Sequence, residues 1–207
     1  MRPLPSGDQK LVQIIDAALA DATRRSGHWL ACRSGCTQCC IGVFAINPLD
    51  ALRLQHALRA LEASDPHRAA RIGKRAQESA RRLAPDYPGD SVTGTLFSDP
   101  ESLARFEDFA NDEPCPALDP ATGLCDLYDS RPLTCRTFGP PVRTEDGLGV
   151  CELCFEGATN EEIAACEMEV DPANLEDRLL KQLTGNHETP VQTTVTFALV
   201  TTPSSKR

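Results

Sequence analysis

No hydrophobic run in the chain is long enough to span a bilayer. The longest nearly apolar stretches, Cys40 to Ile46 and Val195 to Val200, fall far short of the roughly 18 residues that a membrane helix needs. Positive charge is scarce too, 21 Lys and Arg against 30 Asp and Glu, and the net charge of -9 argues against nucleic acid or membrane as a partner. Asp8, Asp16 and Asp21 interrupt the first 25 residues, which therefore carry no apolar segment or cleavage site of a secretory signal, and the expected location is cytoplasmic. The phosphate loop G-x4-G-K-[ST], the dinucleotide fingerprint G-x-G-x-x-G and the hydrolase elbow G-x-S-x-G are all missing. His28, His56, His67 and His187 are scattered without metal-site spacing, and only His28 lies near a cysteine group.

What the chain does have is cysteine, ten in 207 residues. That is too few for a disulfide-stapled secreted scaffold and too many for ordinary core use, and in a reducing compartment such thiols hold metal more often than each other. Cys32, Cys36, Cys39 and Cys40 form a C-x3-C-x2-C-C cluster in which Gly35 permits a tight turn. Short spacings of this kind let thiolates from one turn reach the same ion. The adjacent pair Cys39-Cys40 does not suit a single tetrahedral zinc, because neighbouring side chains point apart: either one thiol is structural or the site holds more than one metal. Cys115, Cys125 and Cys135 follow at wider spacing, and Cys151 and Cys154 form a C-x2-C pair with Cys166 twelve residues on. All-sulfur ligation suits zinc or an iron–sulfur cluster and disfavours magnesium, calcium and manganese. The irregular spacings tilt the choice towards iron–sulfur, and ten thiols suffice for two four-cysteine sites with two left over.

Apolar periodicity and caps predict a helix over 9–25 with Asp8 as its cap, and a second from Asn47-Pro48 to Ser64. A third follows Asp65-Pro66 and carries Arg68, Arg71, Lys74, Arg75, Arg81 and Arg82. This basic helix over 66–84 reads as a solvated face, with an acidic partner, such as a protein, or a phosphate-bearing ligand as the alternative. A loop over 85–94 and a short helix over 100–110, with Leu103, Phe106 and Phe109 inward, come next. Six prolines and two glycines over 113–141 rule out a long regular element there. Thr159 to Glu162 forms a capping box before a helix carrying Cys166, Asp171-Pro172 opens a helix that stops at Gly185, and the Val- and Thr-rich tail over 190–202 is a strand candidate.

The C-x3-C-x2-C-C cluster, the Asn47-Pro48-Leu49-Asp50 helix start, the Cys-Pro-x-Leu at 115–118 and the Cys125-x-x-Tyr-x-x-Arg-Pro-x-x-Cys-Arg run ending at Arg136 together resemble the YkgJ-type cysteine-cluster family. The resemblance covers roughly 30–140. That family's usual pattern is C-x2-C-x2-C-C, and here the first gap is one residue longer, at Cys32. The resemblance implies a zinc- or iron-chelating protein, sometimes described as an iron–sulfur oxidoreductase, with Cys36, Cys39, Cys40, Cys115, Cys125 and Cys135 as matched ligands. A flagellin lysine methylase with a related cysteine pattern adds S-adenosylmethionine-dependent protein methylation as an alternative. The radical S-adenosylmethionine spacing at Cys32, Cys36 and Cys39 is set aside, because the chain is too short and too helical at its start for the barrel those enzymes use.

The resulting expectation is a mostly helical α+β domain whose Cys-rich irregular loops converge on a metal centre. An N-terminal helix (1–29), a cysteine-cluster region (30–140) and an extension (141–207) form one compact unit. The metal ligands are Cys32, Cys36, Cys39, Cys40, Cys115, Cys125, Cys135, Cys151 and Cys154, and the bound group is an iron–sulfur cluster or zinc. Arg131 and Arg136, flanking Cys135, face the bound group or else pair with Asp126 or Asp129. Tyr128 is expected as a packed aromatic with its hydroxyl bonded. The leading functional expectation is an electron-transfer or redox accessory protein, with a structural zinc module as the alternative.

Overall fold

The computed structural model describes residues 2–144, 147–185 and 190–200. Helix α1 spans Asp8–Ser26; β1 (Ala45–Ile46) leads into α2 (Pro48–Ser64) and α3 (Pro66–Leu83). A two-residue hairpin, β2 (Gly89–Asp90) and β3 (Thr95–Leu96), precedes α4 (Pro100–Glu107). The proline-rich region holds a second small hairpin, β4 (Leu118–Asp119) and β5 (Leu124–Cys125), and the short α5 (Leu133–Thr137). A third hairpin, β6 (Val142–Thr144) and β7 (Gly147–Gly149), is followed by α6 (Asn160–Ala165), α7 (Leu175–Thr184), β8 (Thr193–Thr194) and α8 (Val195–Val200). This is a small, mostly helical α+β domain.

Local signals set most helix starts. The Asn47 side chain accepts from the amides of Leu49 and Asp50 at 2.9 and 3.1 Å, with Pro48 in the first turn. Asp65 and Asp99 cap α3 and α4 in the same way, and the Thr159–Glu162 capping box is complete. Helix α1 differs from expectation, because Gly7 occupies the cap position and the Asp8 carboxylate instead accepts from Arg53 Nε at 2.8 Å. Helix α7 starts at Leu175 rather than Pro172. Asp171 folds a turn whose carboxylate accepts from the Glu176 amide at 2.8 Å, so it works from outside the helix.

Two apolar clusters share α2 as their common wall. Leu11 and Ile15 of α1 pack with Leu49, Leu52, Leu133, Met168, Leu179 and Leu183 on one side. On the other side Leu54 packs with Ile72 and Ala76 of α3, Val195 and Leu199 of α8, and Ala117 and Leu127 from the proline-rich region. The tail expected as a strand pairs only at β8, with β1, and then turns into α8. Burial explains the difference: Val195 to Leu199 are all buried between α2 and α3, so a turn of helix covers more apolar surface than one extended edge. Part of the expected stretch, 201–202, lies outside the described residues.

The α4 region also departs from expectation. The helix ends at Glu107, Phe109 sits in the turn beyond it, and Leu103 is exposed, because Tyr87 and Phe109 close that side by an edge-on ring contact with centroids 5.8 Å apart. No described helix is long and apolar enough to cross a membrane.

Candidate metal centre

Four short segments deliver the cysteines. After α1 the chain forms a turn in which the Cys36 amide donates to the Arg33 carbonyl at 2.9 Å, with Gly35 at φ +85° as the spacing requires. One further turn, Cys40 N–H to Thr37 O at 2.8 Å, presents Cys39 and Cys40. The Cys115 amide donates to the Cys40 carbonyl at 2.7 Å, which fixes the second cysteine segment directly on the first. The β4–β5 hairpin then returns Cys125 opposite Leu118, and α5 carries Cys135.

Helices α2 and α3 hold these loops from behind. The Asp50 carboxylate accepts from the Leu133 amide at 3.0 Å and from Arg53 at 2.6 Å, which anchors the start of α5. Asp126 accepts from Arg68 and Arg75 of α3, both at 2.6 Å, and Arg75 also donates to the Pro116 carbonyl at 2.8 Å. Arg82 pairs with Glu113 at 2.7 Å. The basic helix is therefore not simply a solvated face, since three of its cations clamp the segment between Glu113 and Asp126.

All ten cysteines are free thiols, and they fall into two neighbourhoods. The first holds Cys39, Cys40, Cys115, Cys125 and Cys135. The Cys40 thiol donates to Cys39, which holds the Cys39 thiol down at about 6, with burial opposing and the nearby Arg131 charge assisting. Cys40 is correspondingly raised, first by that bond and then by burial and the charges of Cys39, Cys115 and Cys125. Burial pushes Cys115 up to about 12 and also raises Cys125 and Cys135, each of which lies within electrostatic reach of Cys39. These five thiols line an open cavity of 540 Å³ together with Tyr128 and Arg131, and Cys32 and Cys36 line it as well.

The second neighbourhood joins the two ends of the cysteine-bearing region. Burial, and then the charge and hydrogen bond of Cys154, push the Cys32 thiol up to about 12, with Cys36 and Cys151 as further neighbours. Cys151 in turn is raised by burial and by Cys154 and Cys36. Cys151 and Cys154 form a knuckle, the Cys154 amide donating to the Cys151 carbonyl at 2.8 Å. Cys166 is buried with Cys151, Cys154 and Phe155 in the same apolar cluster.

Among the described residues, no three His, Cys, Asp or Glu side chains are already closed around one point as a metal shell. The thiols are neighbours awaiting convergence. The chemistry of the donor set nonetheless fits a soft or borderline metal, since cysteine sulfur dominates both neighbourhoods and no disulfide consumes any of it.

The two arginines divide. Arg131 lies over the Tyr128 ring, 3.9 Å from its centroid, and its charge favours the thiolates of Cys39 and Cys125, although burial leaves Cys125 raised overall. Arg136 is 2% exposed and is held by the Asp16 carboxylate at 2.6 Å and the carbonyls of Asp129 and Arg131. Arg136 lines the cavity as well, and the ion pair expected as its alternative role forms with Asp16 of α1, a long-range contact that spacing does not reveal, since Asp126 is taken by α3. Tyr128 is 60% exposed rather than packed in the core, with the Arg131 guanidinium over one face of its ring. His28 stacks on Trp29, with ring centroids 4.3 Å apart.

A small α+β domain that gathers cysteines from four loops onto the edge of a helical core defines a thiolate metal-binding protein. A family model described as "CxxCxxCC: Putative zinc- or iron-chelating domain" matches residues 31–155, and the chain belongs to this family. No curated protein and no solved structure matches the chain.

Proposed function

We propose that the chain is an electron-transfer or redox accessory protein whose iron–sulfur cluster is held by Cys39, Cys40, Cys115, Cys125 and Cys135. The observation that carries this reading is the number of thiols on one open cavity. Seven thiols line it, and the five of the first neighbourhood already exceed what a single tetrahedral ion can use, whereas a polynuclear cluster accepts thiolates from several directions. When bound, such a cluster supplies one-electron transfer.

The chain's own groups prepare the site. The Cys115–Cys40 backbone bond fixes two cysteine segments in register, and Asp50 fixes the third through Leu133. Arg131 offsets the negative charge of assembled thiolates, while its stacking on Tyr128 keeps the guanidinium at the cavity mouth. The half-burial of the five thiols limits water around the bound group yet leaves one side open to a redox partner.

The test is an absorption and electron paramagnetic resonance spectrum of protein purified without oxygen, before and after dithionite. The expected result is a broad visible band that bleaches on reduction, with a paramagnetic signal in one of the two states. Colourless protein carrying zinc alone would overturn the redox reading.

A further inference from the structure

We propose that Cys32, Cys36, Cys151 and Cys154 form a second, separate centre that takes one tetrahedral zinc ion and closes the cysteine-bearing region end to end. The inference rests on the reading of the chain as a metal-binding protein, and it assigns to a second ion Cys32 and Cys36, which also line the cavity of the first neighbourhood, together with Cys151 and Cys154, which do not line it.

Three geometric features support it. First, Gly139 lies between the two pairs. A Cβ built on it would stand 2.7 Å from Cys32 Sγ, and its carbonyl accepts from the Cys151 amide at 3.4 Å, so one backbone position touches both halves of the site. Second, the flanks are tied together twice. The Phe155 amide donates to the Trp29 carbonyl at 2.8 Å, and Gln38 Nε2 donates to Glu152 at 2.6 Å across a separation of 114 residues. Third, both halves are tight turns, C-x3-C closed by Cys36 N–H to Arg33 O and C-x2-C closed by Cys154 N–H to Cys151 O. Two such turns closed around one ion make the usual four-sulfur zinc arrangement, and a structural zinc site of that kind has no open position.

The site also has a mechanical purpose. The segment after Gly139 packs Cys151, Cys154, Phe155 and Cys166 against Trp29, Leu30 and Ala31, a small apolar cluster apart from both main clusters. So little buried surface is a weak clamp for more than a hundred residues of intervening chain, and a metal cross-link supplies what the cluster lacks. Cys166 belongs to that packing and not to the ligand set.

The experiment compares zinc, iron and sulfide per chain in full-length wild type, C151S/C154S, C125S/C135S, C36H, C36S and C166S. The expected result is loss of about one zinc per chain in C151S/C154S and C36S with iron and sulfide retained, and the reverse in C125S/C135S. C36H should keep zinc, because imidazole replaces thiolate in a tetrahedral site, and C166S should keep it too. Cobalt loaded in place of zinc should give the intense visible bands of a tetrahedral thiolate complex in wild type and C36H but not in C36S. Unchanged zinc in C151S/C154S would overturn the proposal. So would loss of zinc in C166S equal to that in C36S, or joint loss of both metals in both double variants. Wild type that binds no metal at all would instead overturn the reading of the chain as a metal protein.

Discussion

Cys32 Sγ lies against the α-carbon of Gly139, so close that a methyl group at position 139 would stand 2.7 Å from the sulfur. Gly139 also adopts φ +121°, a conformation that side chains with a Cβ rarely accept. Gly139→Ala should therefore destabilise the protein by about 1–3 kcal/mol. It should also displace Cys32, lowering bound zinc well below one per chain while leaving iron unchanged. Denaturant unfolding and metal analysis on the same samples check both parts. A variant with unchanged midpoint and zinc content would show that the contact is not structural.

Asp126, next to Cys125, is the anchor by which α3 holds the cysteine loops. Its carboxylate is 6% exposed and serves two guanidinium groups, so Asp126→Ala removes the charged acceptor from both and leaves each with a backbone carbonyl, Pro116 for Arg75 and residue 126 for Arg68. The expected loss is about 1–3 kcal/mol, with weaker metal retention as the loop loosens. Glu78→Gln removes a partner of Lys74 on the exposed side of the same helix, at 3.9 Å, and should change stability by less than about 0.5 kcal/mol. Equal effects in the two variants would contradict the anchoring role.

Asp50 gives a pH dependence of definite sign. Burial raises its carboxyl from 3.8 to about 6, against the favourable Arg53 charge and the Leu133 amide. The folded protein thus holds this proton more tightly than the unfolded chain does. Stability from this group is present below about pH 4 and is lost as pH rises through about 6, by at most about 1.4 kcal/mol per pH unit. Asp50→Asn has no such proton, so its stability relative to wild type should improve as pH rises between 4 and 6. Acid release of metal affects both proteins and drops out of the difference. Chemical unfolding of the pair at several pH values checks this, and a difference that moves the opposite way would contradict it.

Removing metal with a chelator should loosen the segments at 30–42, 113–140 and 150–166 while α1, α2, α3 and α8 keep their helicity. The two main apolar clusters bury side chains of these helices, whereas the loops have mainly turn hydrogen bonds and ion pairs to hold them. Limited proteolysis with mass mapping should place new cuts in those loops, and circular dichroism should change little. Cuts spread evenly through α2 and α3 would mean that the metal supports the whole fold.

The helix starts at Pro48, Pro66 and Pro100 were legible in the sequence because each combines a capping side chain with proline, a signal contained within a few residues. The C-x3-C-x2-C-C and C-x2-C spacings were legible for the same reason. The grouping of the thiols was not, because the Cys32 thiol is hydrogen-bonded with Cys154 and the Cys40 carbonyl accepts from the Cys115 amide, contacts set by folding over long separations. The same distance hid the pairing of Arg136 with Asp16 and of Asp8 with Arg53. The tail misled because Val and Thr favour strands in isolation, while the slot between α2 and α3 rewards a buried helical turn. The left-handed Asn174 that starts α7 similarly has no local signal as strong as Asp171-Pro172.

The most direct measurement is iron, zinc and acid-labile sulfide per chain in wild-type protein purified without oxygen. The account predicts iron and sulfide together, held by the five-thiol cavity, and about one zinc, held by Cys32, Cys36, Cys151 and Cys154. A folded protein that carries neither metal, with all ten thiols free to react in the native state, would contradict it.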